Sequence, residues 1–360
     1  MKYILSGGGT GGHIYPALAI CHELEKEDKD AEILYVGKKD SLEEELVKKE
    51  GFAFKSIHIS GLPRKKINKD TVITMFNLLR GLNECEKIIK EFKPDVVIGT
   101  GGYVCAPIVM KAQQKGIKTV IQEQNAFPGK TNRFLSRKAD LIFLNFREAQ
   151  KYFNNEHIIF TGNPVREDFS YIDRNKARNK LKLKEEKLVF SFGGSGGQES
   201  TNDVLKEILK DQKDLDFKLV HVTGKEHYKN FIADLDIPKN VEILDYTYEV
   251  PTYLMASDLV IASSSAMTLA EISAVGLASI LIPKAYTAGN HQVFNANSYE
   301  NMGASSVITE DILNGQRLLE EIQKILKDHK LREEMAENSK KLGNPKAVKE
   351  IVKEILERLA

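Results

Sequence analysis

The chain is short of cysteine, net charge and long apolar runs, and each shortage removes a class of protein. Its three cysteines, Cys21, Cys85 and Cys105, stand far apart with no CxxC pair, which argues against a disulfide framework and a zinc site and points to a reducing compartment. Basic and acidic side chains number 52 and 51, a net charge of +1. No global field would therefore hold nucleic acid, and any anionic partner must be gripped locally. No stretch approaches the ~20 apolar residues of a membrane span. The opening Met1 to Ser6 runs into glycines before it could supply the roughly 7 to 15 apolar residues of a signal peptide. A P-loop is absent, so nucleotide hydrolysis has no motif. What remains is a chain of 360 residues, 42% hydrophobic and 29% charged. That is enough for two ordinary domains of about 150 residues, each with its own core.

Short apolar runs alternate with longer amphipathic stretches, the pattern of an α/β chain with parallel sheets and crossover helices. Strands are expected at Tyr3 to Leu5, Ile33 to Val36, Val96 to Ile98, Thr119 to Ile121, Leu141 to Leu144 and Ile158 to Phe160. The pattern restarts at Leu188 to Phe192, with further strands at Phe217 to Val222, Val241 to Leu244, Leu259 to Ala262 and Ser279 to Ile282. This predicts two similar doubly wound domains facing across a cleft and joined near Gly162-Asn163-Pro164, where glycine, asparagine and proline punctuate the backbone. Pro16 suits the first turn of the first helix. After Pro345 a stripe of Val348, Ile351, Val352, Ile355, Leu356 and Leu359 predicts a helix packed against a core.

Gly7, Gly9 and Gly12 satisfy G-x-G-x-x-G between a strand and a helix, the setting of a dinucleotide fingerprint. The second strand, however, ends Tyr35-Val36-Gly37-Lys38-Lys39 and lacks the acidic residue that would hold a ribose. The loop still lets a ligand approach backbone N–H groups at a helix N-terminus. His13 sits at that terminus, where the helix dipole favours a neutral ring able to accept a proton; it is the general-base candidate. Gly99 to Tyr103 and Gln122 to Asn125 end two more strands and would line the same crevice. In the second half, Gly193 to Gly197 with Ser195, and Ser263 to Thr268 opening another helix, can converge on one pyrophosphate. Glu271, one turn on from Met267 and Thr268, could accept both ribose hydroxyls. Two Asp-Leu-Asp triplets, at 214–216 and 234–236, lie in charged connecting stretches and read as surface loops, so no protein-bound metal is expected. Between Gly61 and Arg80, Arg64, Lys65, Lys66 and Lys69 precede Val72, Ile73, Met75, Phe76, Leu78 and Leu79, a combination suited to an anionic membrane surface and equally to a core helix with a charged lead-in.

In order along the chain, Gly8-Gly9-Thr10-Gly11-Gly12-His13-x-x-Pro16-Ala17, Gly99-x-Gly101-Gly102-Tyr103-Val104, Glu123-Gln124-Asn125, Gly162-Asn163-Pro164-Val165-Arg166, Gly193-Gly194-Ser195, Thr268-x-x-Glu271 and His291-Gln292-x-x-Asn295-Ala296 resemble the MurG family, the N-acetylglucosaminyltransferases that convert lipid I to lipid II in peptidoglycan synthesis. The resemblance implies a GT-B fold of two Rossmann-like domains. Residues 1–163 with 345–360 would form the acceptor and membrane domain, and 164–344 the donor domain. It implies an inverting transfer from UDP-N-acetylglucosamine to the C4 hydroxyl of lipid I, with His13 and Glu271 as candidate catalytic residues. Donor contacts would fall on Thr10, Gly11, Gly12, Asn125, Arg166, Ser195, Thr247, Ala266, Met267, Thr268, Glu271 and Gln292. Gly101, Gly102, Tyr103 and Asn132 would form the acceptor side. The implied setting is peripheral, at the cytoplasmic face of the cell membrane, with lipid I, UDP-N-acetylglucosamine, an anionic membrane surface and other cell-wall synthesis proteins as partners and no cofactor. Three departures bear on the donor: Gly196 replaces a usual glutamine, Ser263 a common arginine and Ser265 a frequent glycine. The alternatives are a GT-B transferase or UDP-sugar epimerase with a soluble substrate, a nicotinamide-dependent dehydrogenase, and a non-catalytic UDP-sugar-binding protein.

Overall fold

The computed structural model describes residues 1–61, 69–165, 169, 173–194, 196–212 and 214–359. The chain divides into two compact units, residues 1–164 with 346–360 and residues 165–345. Among the described residues, the first unit holds β1 (Lys2–Gly7), β2 (Glu32–Lys38), β3 (Ala53–Ile57), β4 (Val96–Gly101), β5 (Lys118–Glu123), β6 (Leu141–Leu144) and β7 (Ile158–Phe160) in the order β3-β2-β1-β4-β5-β6-β7. The second holds β8 (Leu188–Phe192), β9 (Lys218–Val222), β10 (Val241–Leu244), β11 (Leu259–Ala262), β12 (Ser279–Leu281) and β13 (Ser305–Val307) in the order β10-β9-β8-β11-β12-β13. The pairings are parallel, for instance Tyr3 with Ile33 and Val96, and Val189 with Leu219 and Leu259.

Central strands of a parallel sheet are covered on both faces, which is why Val96 to Ile98 of β4 and Leu188 to Phe190 of β8 read as apolar runs rather than alternating ones. Each sheet reverses its strand order once, between β1 and β4 and between β8 and β11. Open parallel sheets bind ligands at such points, outside the carboxyl ends of the strands. The two glycine loops, after β1 and after β8, both lie there.

Three features depart from the sequence reading. β3 and β13 were not anticipated: both are edge strands, and Ala53–Ile57 and the three residues Ser305–Val307 carry little apolar periodicity. The first helix begins at Gly11, so Pro16 lies inside it rather than in its first turn. Thr10, extended at φ −152°, caps the helix start, and its carbonyl accepts from His13 N and Ile14 N. Pro16 has no N–H to offer the Gly12 carbonyl one turn back.

The helix Ala347–Leu359 supplies Ile351, Val352 and Ile355, all fully buried, to the core of the first unit beside Ile14, Ala17, Cys21 and Tyr3. Ile355→Ala should cost about 2–5 kcal/mol, the range for truncating a large aliphatic side chain in a core. Denaturant unfolding measures it, and a cost below about 1 kcal/mol would deny the helix its structural part.

Of the basic and apolar stretch, residues 62–68 and the side chains of Val72, Ile73 and Met75 lie outside the description. Phe76 and Leu79, on the helix Lys69–Phe92, are 65% and 57% exposed. No helix among the described residues is long and apolar enough to cross a membrane.

Candidate active site

In the first unit the loops after β1 and β4 meet around one imidazole. His13 Nδ1 lies 3.1 Å from the Gly8 carbonyl and 3.2 Å from Thr10 Oγ1. A carbonyl can only accept, so Nδ1 carries a proton in that contact, and in the neutral ring Nε2 then carries the lone pair. The Nε2 edge faces Gly101, where an added Cβ would lie 2.7 Å from His13 Cδ2 and 3.1 Å from Nε2. The backbone beneath the ring is fixed as well: Thr100 Oγ1 donates to the His13 carbonyl at 2.7 Å, and the buried Tyr35 hydroxyl donates to the Gly7 carbonyl at 2.6 Å. Gly101 and Gly102 adopt φ of +116° and +78°, a region L side chains avoid, and a Cβ on Gly102 would meet the Gly8 carbonyl oxygen at 2.2 Å. Glycine is therefore required at both by conformation and by space.

Asn132 stands beside Gly101. Its side chain is 2% exposed, and Nδ2 donates to Glu123 Oε2 (2.9 Å) and the Gln122 carbonyl (3.2 Å). Its Oδ1 has no partner among the described residues. Glu123, also 2% exposed, accepts further from Asn125 N (3.0 Å), Asn125 Nδ2 (3.1 Å) and Gly129 N (3.1 Å). One carboxylate thus orients both asparagines. Gln122 is a structural amide, fully buried and donating to Asn163 Oδ1 at 3.0 Å. The Tyr103 ring edge lies against the first glycine loop, 3.6 Å from the Cβ that Gly9 lacks. Thr10, Gly11 and Gly12 lie at the same helix start as His13.

A second buried acid went unnoticed in the sequence. Glu43, 2% exposed, accepts from Gly9 N (3.4 Å) and Lys38 N (3.3 Å). An internal carboxylate therefore already occupies a glycine-loop amide that a dinucleotide phosphate would need. Its signal was faint: an acidic residue in the helix Leu42–Lys49, next to others in the first turn.

In the second unit, Ser265 caps the helix Ala266–Val275, accepting from Thr268 N (3.3 Å) and donating to Thr268 Oγ1 (2.8 Å). Ala266 and Thr268 are buried, while Met267 and Glu271 are half-buried. Gln292, 6% exposed, is held at both ends: its carbonyl accepts from Ser264 Oγ (2.8 Å), and its Oε1 accepts from Lys284 N (3.0 Å). That orientation makes Nε2 a donor for a ligand oxygen. Thr247 lies in the loop after β10, its Oγ1 accepting from Glu249 N at 3.0 Å. Arg166 and Ser195 lie outside the described residues.

His221, on β9 behind the glycine loop, is fully buried between Ser191 Oγ and Asn202 Oδ1, each 3.0 Å away. Desolvation pushes its pKa down to about 3. In the unfolded chain a histidine titrates near ~6.5. Above that pH neither state is charged and nothing changes; below it only the unfolded state gains the proton, so stability falls as pH drops from 6.5 toward 3. Between pH 7.5 and 5 the loss should be about 2 kcal/mol. Melting curves of the wild type and His221→Gln at the two pH values test this, and equal acid losses in both would refute it.

Two Rossmann-like parallel sheets with glycine loops at their switch points, one with a histidine at its helix start and the other with a capped helix N-terminus, define the class of GT-B nucleotide-sugar enzymes. Residues 3–144 match the glycosyltransferase family 28 N-terminal domain and residues 188–353 its C-terminal domain. The chain is 47% identical over 361 residues, covering 99% of its length and 97% of the relative's, to the UDP-N-acetylglucosamine--N-acetylmuramyl-(pentapeptide) pyrophosphoryl-undecaprenol N-acetylglucosamine transferase of Finegoldia magna. It is 42% identical to the protein of that name from Clostridioides difficile, covering 99% of this chain and 88% of the relative. The crystal structure of Acinetobacter baumannii MurG superposes with a TM-score of 0.78 at 24% identity, over 99% of both chains. The chain belongs to glycosyltransferase family 28, in the MurG branch of N-acetylglucosaminyltransferases.

Proposed function

We propose that this enzyme moves N-acetylglucosamine from UDP-N-acetylglucosamine to the C4 hydroxyl of lipid I, giving lipid II, by a single inverting displacement. The observation that carries the mechanism is the contact between His13 Nδ1 and the Gly8 carbonyl: it supports a neutral ring with its proton on Nδ1 and with Nε2, on the side of Gly101, as the acceptor. His13 takes the proton of the C4 hydroxyl as that oxygen attacks C1 of the donor sugar; the C1–O bond to the diphosphate breaks, and UDP leaves with the electron pair. Asn132 Oδ1, buried and without a partner among the described residues, is available to a hydroxyl of the acceptor. Gly101, Gly102 and Tyr103 shape the same side.

Donor binding falls to the second unit, with Glu271 at the ribose, the uracil at the backbone of Thr247, and Ser195, Ala266, Met267 and Thr268 at the diphosphate. Arg166 adds charge there, and Gln292 Nε2 reads a sugar hydroxyl. Thr10, Gly11, Gly12 and Asn125 are the donor contacts proposed in the first unit. Helix N-termini and Arg166 meet the charge that grows on the leaving group, so transfer needs no protein-bound metal. Exposed Phe76 and Leu79, with the basic residues before them, support peripheral docking at the anionic cytoplasmic face of the membrane.

The test is UDP release from UDP-N-acetylglucosamine with and without a lipid I analogue, with and without a chelator. Release should depend on the acceptor and ignore the chelator. Acceptor-independent release, or conversion of the donor to its epimer, would overturn the reading.

A further inference from the structure

We propose that the Lys284 ammonium is a cationic contact for the diphosphate of the nucleotide-sugar donor, an inference that rests on the donor-site reading above. Lys284 follows Ile282-Pro283 at the carboxyl end of β12, on the sheet edge where the glycine loop and the serine loop also emerge. Its Nζ donates to the carbonyl of Gly197, the last residue of the glycine loop, at 2.7 Å. Its own backbone N–H fixes Gln292 Oε1 at 3.0 Å. The same residue therefore touches the loop assigned to the diphosphate and orients the side chain assigned to the sugar. Gly193 to Gly197 and Ser263 to Thr268 carry no charged side chain.

The ammonium is only partly satisfied. It has three N–H donors; among the described residues the carbonyl of Gly197 takes one, and no carboxylate lies within 4.0 Å of Nζ. Glu310 is the opposing charge nearby, but its oxygens are committed: Oε1 accepts from Ser200 Oγ (2.5 Å) and Gln198 Nε2 (3.1 Å), and Oε2 from Ala285 N (2.9 Å). Burial disfavours the charged lysine and lowers its pKa, with Glu310 opposing that effect. A half-buried cation without a contact ion partner is costly. A bound diphosphate supplies the missing anion and takes the remaining donors.

Calorimetric titration of UDP and of uridine into the full chain tests this, using the wild type, Lys284→Gln and Lys284→Arg. Glutamine can still donate to the Gly197 carbonyl but has no charge. UDP should bind about 10- to 100-fold more weakly to Lys284→Gln, the range for a hydrogen bond to a charged group. Uridine should bind within about twofold of wild type, and Lys284→Arg should regain most of the UDP affinity and hold the fold if the glutamine variant does not. UDP affinity unchanged in Lys284→Gln, or UDP and uridine weakened equally, would overturn the inference while leaving the donor site in place. A wild type that binds no UDP would overturn the donor-site reading, and this inference with it.

Discussion

His13→Ala should lower turnover about 10²- to 10⁴-fold, the contribution of a positioned general base, while UDP-N-acetylglucosamine binds with nearly unchanged affinity. The split follows from the proposed separation of roles: the imidazole is assigned the acceptor hydroxyl, and ribose, diphosphate and sugar are assigned chiefly to Glu271, the Ala266 helix start and Gln292. The ring also helps hold the Gly8 carbonyl through Nδ1, so a second variant separates chemistry from support. His13→Asn offers an amide donor to that carbonyl but no base, and it should be as slow as alanine. UDP release under saturating acceptor, with donor affinity by calorimetry, measures both quantities. Turnover within about tenfold of wild type would remove His13 from the proton transfer.

Gly102→Ala should have the second-largest effect and act chiefly through the backbone. The new methyl would have to share space with the Gly8 carbonyl oxygen, 2.2 Å away, at a φ of +78°. The two nearest atoms, the Gly8 carbonyl oxygen and carbon, are main chain, and the third is His13 Nδ1 at 3.3 Å, so relief requires the loops after β1 and β4 to part. The strain should cost about 1–3 kcal/mol of stability. Because Gly8 holds His13 Nδ1, displacement of about 1 Å at the ring should cut turnover about 10²-fold. Thermal melting and acceptor-dependent UDP release read the two effects; a variant as active and as stable as wild type would mean the loops are not tightly apposed.

Much of this was legible in the sequence because the physics is local. Buried parallel strands such as Val96 to Ile98 and Leu259 to Ala262 announce themselves as apolar runs, and the glycine-rich turns after them mark where the chain must bend close to something else. The edge strands Ala53–Ile57 and Ser305–Val307 escaped because half-exposed strands of three to five residues carry no continuous apolar signal. The first helix was started too late because proline is favoured in first turns, whereas here the Thr10 carbonyl begins the helix at Gly11.

At the site, the reactive side chains had motifs, but the groups that hold them did not. Glu123 ends β5 as an ordinary acidic residue; only folding shows it binding Asn125, Gly129 and Asn132 together. Glu43, one of three consecutive glutamates, and Lys284 likewise lie in unremarked stretches. Their importance arises from burial against loops that are distant along the chain, at 34 residues for Glu43 and Gly9 and 87 for Lys284 and Gly197.

The stereochemistry at the transferred sugar tests the central claim most directly. If one alcohol, deprotonated by His13, displaces UDP in a single step, the α-linked donor must yield a β-linked product, which the anomeric coupling in a proton NMR spectrum reports. A β-glycosidic disaccharide on the acceptor is the predicted result; an α-linked product would contradict the single displacement and the part assigned to His13.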